Sequence, residues 1–535
     1  MSNRQAEFKR VLMLATENAA IKGAKVGGIA DVIGDLPHAL IARNVIADVA
    51  MPGYGRLSSQ NGAEQFAQIS VPFAGRKERV DLYRLPHPVQ PQASIYLFEH
   101  GLFAGHDGAI YNQGSTERPF AEDASKFALF NISVACALLD NIIPAPEILH
   151  LHDWHTGLFA LLRAFDVRFK ALQKLKCVFT VHNLALQGIR PLSHEASSLA
   201  AWYPEVFSSM SEAQLSQVTD PRYPFCINPM RAGIVLSDKV HLVSPSYARE
   251  VLLPSNPENG FFGGEGLEKD LRDKHDTGNL VGILNGCEYP ETAPKKVANP
   301  LSLVLDKAET ALIAWLGKHT QVMAVDMIAL SRINRLRRQG ITESELLLTS
   351  VGRLTDQKVL ILRQRQADGK TVLEKILEQL AAYATNALFI FLGSGDEHIA
   401  AEFREVASRY SNFLFLHGYH DDLPQYLYRY GDLFLMASSF EPCGISQMLA
   451  MREGQPCLVH GVGGLKDTVK QGESGFVFGG KDLTEQADNL LVMLQHALQC
   501  RPTPQWQKIK RTAKAQRFDW HGVSNLYVQK LYSGK

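Results

Sequence analysis

Through all 535 residues, short β-branched and apolar runs alternate with stretches of helical period. In the first half these runs are Val11–Ala15, Val45–Met51, Ile95–Phe98, Ile148–Leu151, Val178–Val181 and Val240–Val243. In the second they are Leu346–Val351, Leu388–Leu392, Phe413–Leu416, Leu433–Met436 and Cys457–Val459. Most are followed by Gly, Ser, Asn or Asp and then by a helical pattern, the signature of βαβ units and mainly parallel sheets. Helices such as Ala124–Leu139 are expected to cover the sheet faces. A chain this long calls for two to four domains. The alternation weakens between about Cys287 and Thr342, where Pro290, Pro294 and Pro300 precede two helix-like stretches. The domain junction is therefore expected near Gly286. Ligands of open α/β sheets bind outside the carboxyl ends of the strands, so strand-end loops of both domains are expected to line one cleft.

Charge and cysteine usage narrow the partners. The 55 basic and 55 acidic residues cancel, which gives no electrostatic case for nucleic acid and suits a neutral polymer. The seven cysteines show no CxxC pair, so free thiols in a reducing compartment are expected rather than a disulfide framework or structural zinc. The apolar run Val11–Ala15 ends at Glu17, short of a signal-peptide core, and no run is long enough to span a bilayer. The expected location is the cytoplasm.

Five segments carry candidate chemistry. In Lys25-Val26-Gly27-Gly28-Ile29-Ala30-Asp31-Val32, a helix begins near the glycine pair, because Ile29, Val32, Ile33 and Leu36 share one face. Amides there favour an anion and Lys25 adds a charge, although a plain strand–turn–helix fits the same pattern. His150, His152, Asp153, Trp154 and His155 crowd one strand end. That composition fits a sugar-contacting loop with an aromatic platform better than a metal site, since no HExxH-type helix is present, and a structural cluster also fits. A third strand delivers His182 and Asn183 to its carboxyl end.

In Val351-Gly352-Arg353-Leu354-Thr355-Asp356-Gln357-Lys358, two cations on one short loop can clamp a diphosphate, while an Arg353–Asp356 surface pair is the alternative. In Ser438-Ser439-Phe440-Glu441-Pro442-Cys443-Gly444-Ile445-Ser446-Gln447, a helix starts near Gly444 and Glu441 is placed to hold sugar hydroxyls. An ordinary loop with a solvated glutamate fits that segment equally. Gly461-Val462-Gly463-Gly464-Leu465 forms a third glycine-rich turn, and Cys443 reads as a packing residue. No strand-end DxD pair is present to hold a metal–diphosphate complex; Asp421-Asp422 sits in a His/Pro-containing loop. Cations and helix ends are therefore expected to act without metal or other cofactor.

In their order along the chain, KVGGIADV, HLHDWHTG, FTVHNLALQG, SDKVHLVSPSYARE, GILNG, VGRLTDQK, GSGDE, SSFEPCGISQ and VGGLKDTV resemble the bacterial glycogen synthase and plant starch synthase family. The C-terminal FDW…SNLYVQKLY is similar as well. The resemblance implies a GT-B fold: two Rossmann-like α/β domains with a deep interdomain cleft. Residues 1–286 would form the acceptor and catalytic domain, 287–505 the nucleotide-sugar-binding domain, and 506–535 a helix crossing back to the first. It implies a metal-independent glycosyltransferase that moves glucose from ADP-glucose to the non-reducing 4-hydroxyl of an α-1,4-glucan such as glycogen, with retention of configuration.

By matching position, Arg353 and Lys358 would neutralise the donor diphosphate. Glu441, with Cys443, Gly444, Ile445 and Ser446, would bind the glucosyl group and phosphate. His182 and Asp153 would line the glucose and acceptor side. Lys25, Gly27 and Gly28 would close over the donor, Asn285 of GILNG would join the donor-binding set, and Tyr419 of the GYH segment would stack on the base. The sequence departs from the family pattern at Cys287-Glu288-Tyr289, through Pro290–Met323, and at Arg231, Val359 and Ser446. A retaining transferase using UDP-glucose or another acceptor is one alternative, and a glycan-binding paralogue without turnover is another.

Overall fold

The computed structural model describes residues 8–112, 118, 120–289, 297–317, 322–341 and 345–534. Pro290, Pro294 and Thr342, and part of the divergent stretch after Cys287, lie outside these residues. The chain forms two compact units. The first comprises 1–255, 263–288 and 519–535, and the second 256–262 and 289–518.

Among the described residues, eleven strands lie in the first unit: β1 Lys9–Leu14, β2 Val45–Pro52, β3 Glu64–Phe73, β4 Arg76–Pro86, β5 Ser94–Glu99, β6 Ile148–His152, β7 Lys176–Val181, β8 Arg190–Pro191, β9 Cys226–Ile227, β10 Lys239–Leu242 and β11 Leu280–Gly282. Nine of them make one sheet in the order β11-β10-β7-β6-β1-β2-β5-β4-β3. Its pairings are parallel except for β3–β4 and β4–β5. The β3–β4 hairpin turns through Ala74 and Gly75, both at positive φ, as a two-residue hairpin loop matched to strand twist requires. β8 and β9 pair antiparallel by themselves.

The sheet centre is dry. β6 is buried at every position, and the helix Ala121–Leu139 is buried on nearly all sides. That helix tolerates Asn131 and Ser133 because their side chains donate to the carbonyls of Phe127 and Leu129 one turn back. The helices Trp154–Phe165 and Pro229–Leu236 cross where Gly157 faces Pro229, and a Cβ on Gly157 would overlap the Pro229 carbonyl. Arg231, on the second of these helices, forks onto Asp270 at 2.7 and 3.1 Å and reaches the Ser216 carbonyl. The planar guanidinium can serve all three acceptors at once, which an ammonium group cannot do with fixed geometry. The last segment packs into this unit's core through Trp520, Val523, Tyr527, Leu531 and Tyr532.

The second unit holds β12 Leu346–Val351, β13 Ala387–Gly393, β14 Phe413–His417, β15 Leu433–Met436, β16 Cys457–His460 and β17 Gly475–Phe478. They form an all-parallel sheet in the order β14-β13-β12-β15-β16-β17. This is the 3-2-1-4-5-6 order of dinucleotide-type folds, whose chain direction across the sheet reverses between β12 and β15. The two helix-like stretches after the junction are the helices Pro300–Leu316 and Ala324–Arg338. Val359 lies in the core of this unit. Among the described residues no helix is long and apolar enough to cross a membrane, and the seven cysteines are all outside disulfides.

Candidate active site

In each unit part of the candidate set follows the two strands that flank the sheet's reversal point, β6 and β1 in the first and β12 and β15 in the second, where loops to either side diverge and leave room for a ligand. In the second unit, Gly352-Arg353-Leu354-Thr355 leaves β12 and leads into the helix Asp356–Arg363. The Glu441 loop leaves β15 and leads into the helix Ser446–Glu453, whose cap is Ile445. Lys358, in the first turn of the helix after the first loop, forms an ion pair with Glu441 of the second. The Ser438 hydroxyl donates to the same carboxylate at 2.9 Å. The loops are also joined through the backbone: Ser439 N donates to Gln357 O at 2.9 Å, and Gln357 Nε2 donates to Phe440 O at 3.0 Å.

Glu441 is buried, whereas Arg353 is exposed and has no ion pair among the described residues. One cation is thus fixed beside a buried carboxylate and the other is available to an incoming anion. Cys443 is buried, Gly444 adopts a left-handed φ of 74°, and Ser446 Oγ lies 3.1 Å from the Tyr428 hydroxyl. Tyr419 follows β14 with 61% of its surface exposed, and its carbonyl accepts the Trp315 indole N–H at 2.8 Å. Its phenol donates to Asp421 at 2.8 Å.

The third glycine-rich turn acts on this site. Gly463 has φ 44°, and a Cβ there would overlap the Glu441 carbonyl oxygen, while one on Gly464 would overlap that of Cys443. Gly464 N donates to Glu441 O at 3.1 Å. Gly463→Ala should therefore displace the Glu441 loop and lower kcat by about 10²-fold, the cost of misplacing a reacting group by about an ångström. Steady-state kinetics with a thermal-melt control check this; a variant with wild-type kcat would show that the Glu441 loop position is immaterial.

In the first unit, β1 leads through Thr16 and Glu17 to the Lys25–Gly28 loop and the helix Gly28–Ile41. Glu17, which the motif reading missed, holds this loop. Its buried carboxylate accepts the amides of Val26, at 2.6 Å, and Gly27, and the Tyr111 hydroxyl at 2.6 Å. A carboxylate of the protein thus takes two amides expected to face a ligand anion. Lys25 pairs with Asp31 at 2.5 Å. Asn285, after β11, is buried with Oδ1 unpaired among the described residues.

Asp153 follows β6 in a conformation of φ 56° and ψ −178°, a region that only glycine visits without strain. It is 4% exposed, and its Oδ1 accepts the amides of His182 (2.6 Å) and Asn183 (3.4 Å) after β7. Burial pushes its carboxyl up to about 8 despite those hydrogen bonds, with Glu17 adding to the rise. His182 Nε2 lies 2.9 Å from His152 Nδ1. Burial pushes His182 down to about 3 and His152 well below its ordinary value, so one neutral ring donates to the other. His152 Nε2 is buried without a partner among the described residues. An orphaned acceptor costs less than an orphaned N–H, so His152 Nδ1–H is the donor and His182 carries its own proton on Nδ1. Among the described residues no group of three or more His, Cys, Asp or Glu side chains is arranged to hold a metal ion.

A neutral Asp153 has a measurable sign. Its folded pKa lies above the unfolded value, so its stabilising contribution is full below about pH 4 and is lost as pH rises through about 8. Asp153→Asn lacks that dependence. Relative to the variant, the protein should lose about 1.4 kcal/mol per pH unit between roughly pH 4 and 8. Denaturant unfolding of both at pH 5.5 and 8 checks this, and a pH-independent difference would contradict a neutral carboxyl.

Residues 10–273 match the family model described as the starch synthase catalytic domain, and residues 347–496 match that of glycosyl transferases group 1. The chain is 30% identical to a glycogen synthase of Francisella tularensis subsp. mediasiatica, over 97% of this chain and 98% of that protein. A glycogen synthase of Streptococcus equi subsp. equi gives the same identity and coverage. The chain belongs to the glycogen and starch synthase family.

It is a glycosyltransferase with a GT-B fold. The fold is similar to the catalytic domain of starch synthase IV from Arabidopsis thaliana, a structure bound to ADP and acarbose, at TM-score 0.73 and 24% identity over 98% of this chain and 99% of that one. It is also similar to sucrose-phosphate synthase from Thermosynechococcus elongatus, at TM-score 0.53, 14% identity and 98% coverage of both chains. Within a glycosyltransferase of this family, the paired Lys358 and Glu441 and the exposed Arg353 are the first residues to test for the donor, and Asp153 and His182 for the sugar.

Proposed function

We propose that the chain is a glycogen synthase that transfers glucose from ADP-glucose to the non-reducing 4-hydroxyl of an α-1,4-glucan, retaining the anomeric configuration and using no metal. The observation that carries this reading is the Lys358–Glu441 pair with exposed Arg353 at the reversal point of a 3-2-1-4-5-6 sheet. The relatives named glycogen synthase and the similar fold of a starch synthase bound to ADP and acarbose support it. The second unit holds the donor. Arg353 and Lys358 take the diphosphate, Tyr419 the base, and Glu441 with residues 443–446 the glucosyl group and phosphate. The first unit supplies the acceptor side through Asp153 and His182, and Lys25, Gly27, Gly28 and Asn285 complete the donor contacts.

In the reaction, the C1–O bond to the diphosphate breaks while the two cations stabilise the charge gathering on the leaving group. The acceptor 4-hydroxyl bonds to C1 on the face the diphosphate leaves, and its proton passes to the departing phosphate oxygen. Cysteines held outside disulfides and balanced charge suit work in the cytoplasm on a neutral polymer. The test is nucleotide release from ADP-glucose and from UDP-glucose, each with and without glycogen, in EDTA. Glycogen-dependent ADP release is expected. Release from UDP-glucose alone would reassign the donor, and loss of activity in EDTA restored by a divalent cation would overturn metal independence.

A further inference from the structure

The last residues of the chain are tied to the strand ends that carry Asp153 and His182. Residues Tyr527–Tyr532 form a single π-helical turn, and Tyr532 is buried. The turn is held by its carbonyls: Lys9 Nζ donates to Tyr532 O at 3.3 Å, and Lys176 Nζ to Ser533 O at 2.6 Å and Gly534 O at 3.1 Å. Beneath it runs a buried row of polar groups on adjacent strands. The Tyr532 hydroxyl is 2.7 Å from His150 Nδ1, and His150 Nε2 is 2.7 Å from Thr180 Oγ1. Thr180 Oγ1 is 2.9 Å from His241 Nδ1, and His241 Nε2 is 3.2 Å from the carbonyl oxygen of Ile283.

The direction of every hydrogen bond in this row follows from its far end. A carbonyl only accepts, so His241 Nε2 donates to Ile283. Burial holds His241 at about 4, hence neutral, and its Nδ1 must accept from the Thr180 hydroxyl. The hydroxyl has then spent its proton and accepts from His150 Nε2–H. His150, driven well below its ordinary value by burial, keeps Nδ1 as an acceptor, so Tyr532 donates. One tautomer of each imidazole is thereby selected.

The row meets the candidate site at two points. The His150 and His152 ring centroids lie 4.3 Å apart, and His152 is the hydrogen-bond partner of His182. Thr180 also accepts the Asp153 amide at its carbonyl, at 2.9 Å, two residues before His182.

We propose that Tyr532 is a positioning residue for the reaction: its hydroxyl fixes the tautomer and orientation of His150, and through Thr180 and His152 the placement of Asp153 and His182. The proposal rests on the assignment of His182 to the sugar side of the site. It makes the end of the chain part of the active-site scaffold, acting through fixed hydrogen-bond polarity and not through contact with substrate.

The test uses the full-length chain carrying Tyr532→Phe, which removes one hydroxyl and keeps the ring, and separately Thr180→Val, which cuts the same row in its middle. Both should lower kcat about tenfold, the scale of one lost orienting hydrogen bond, with the KM for ADP-glucose and for glycogen within twofold of wild type. In Tyr532→Phe the freed His150 Nδ1 accepts a proton more readily, so the acidic limb of the kcat–pH profile should move to higher pH. Circular dichroism at each pH confines the profile to conditions in which the variant is folded, which separates this shift from acid unfolding. Wild-type kcat and an unmoved limb in both folded variants would overturn the proposal. His182→Ala separates the two levels. If it loses turnover while Tyr532→Phe does not, the row is structural only; if it retains wild-type turnover, the assignment of His182 fails and the proposal fails with it.

Discussion

Lys358→Ala should lower kcat on the order of 10²-fold or more, with a much smaller change in the KM for ADP-glucose. The diphosphate gains its extra charge only as the glycosidic bond breaks, so a fixed cation beside it contributes most in the transition state, and its loss appears in turnover. A hundredfold loss corresponds to about 2.7 kcal/mol of transition-state stabilisation. The same substitution strips the buried Glu441 carboxylate of its ion-pair partner, leaving the Ser438 hydroxyl. Uncompensated buried charge costs up to about 3–5 kcal/mol, and the partial exposure of Lys358 places this pair towards the lower end. Initial-rate kinetics and denaturant unfolding on one preparation separate the two effects. A change confined to KM would contradict the role given to Lys358.

The second large effect is on stability in acid. The first unit buries six histidines that burial keeps neutral: His87, His150, His152, His155, His182 and His241. Burial lowers each of them, to about 3 for His182 and about 4 for His241. A depressed folded pKa means stability that is complete above the unfolded value near 6.5 and is lost as pH falls towards the folded value. At pH 5.5 each histidine should cost on the order of 1 kcal/mol, together several kcal/mol, a large fraction of a typical domain's stability. Asp153 opposes this, gaining stability in acid, as do Asp35, raised to about 7, and Asp48 and Asp123, which burial also raises, but six histidines outnumber these four carboxyls. Hydrogen exchange at pH 7.5 and 5.5, corrected for intrinsic rates, should show β6, β7 and β10 losing protection while β12 and β13 keep it. Equal loss in both units would contradict the histidines as the cause.

How far the sequence reveals the molecule depends on the range of each interaction. β12 and β15 are legible to the residue: Glu345 and Gly352 bound the first run, and Asp432 opens the second. The hairpin of β3 and β4 is hidden. Its strands, such as EQFAQISVPF, alternate exposed and buried positions and so lack a continuous apolar run. Each candidate loop is likewise visible as a strand–turn–helix, but its partner is not. Glu17 meets Gly27 ten residues on, Lys358 meets Glu441 83 residues away, and Tyr532 meets His150 across 382 residues. No spacing rule connects such positions, because the sheet order that joins them is set by packing of the whole unit. The left-handed backbone at Asp153 is equally invisible, since nothing in HLHDWH marks the aspartate as the residue that takes the turn.

The most direct test of the central claim follows labelled glucose. ADP-glucose carrying radiolabel in its glucosyl group is incubated with glycogen and the purified protein, and the polymer is precipitated and digested with β-amylase, which cleaves maltose from α-1,4-linked non-reducing ends. The account predicts label in the polymer that β-amylase releases as maltose, in wild type and not in Lys358→Ala. No label in the polymer, or label that resists β-amylase, would contradict transfer to the non-reducing 4-hydroxyl of an α-1,4-glucan.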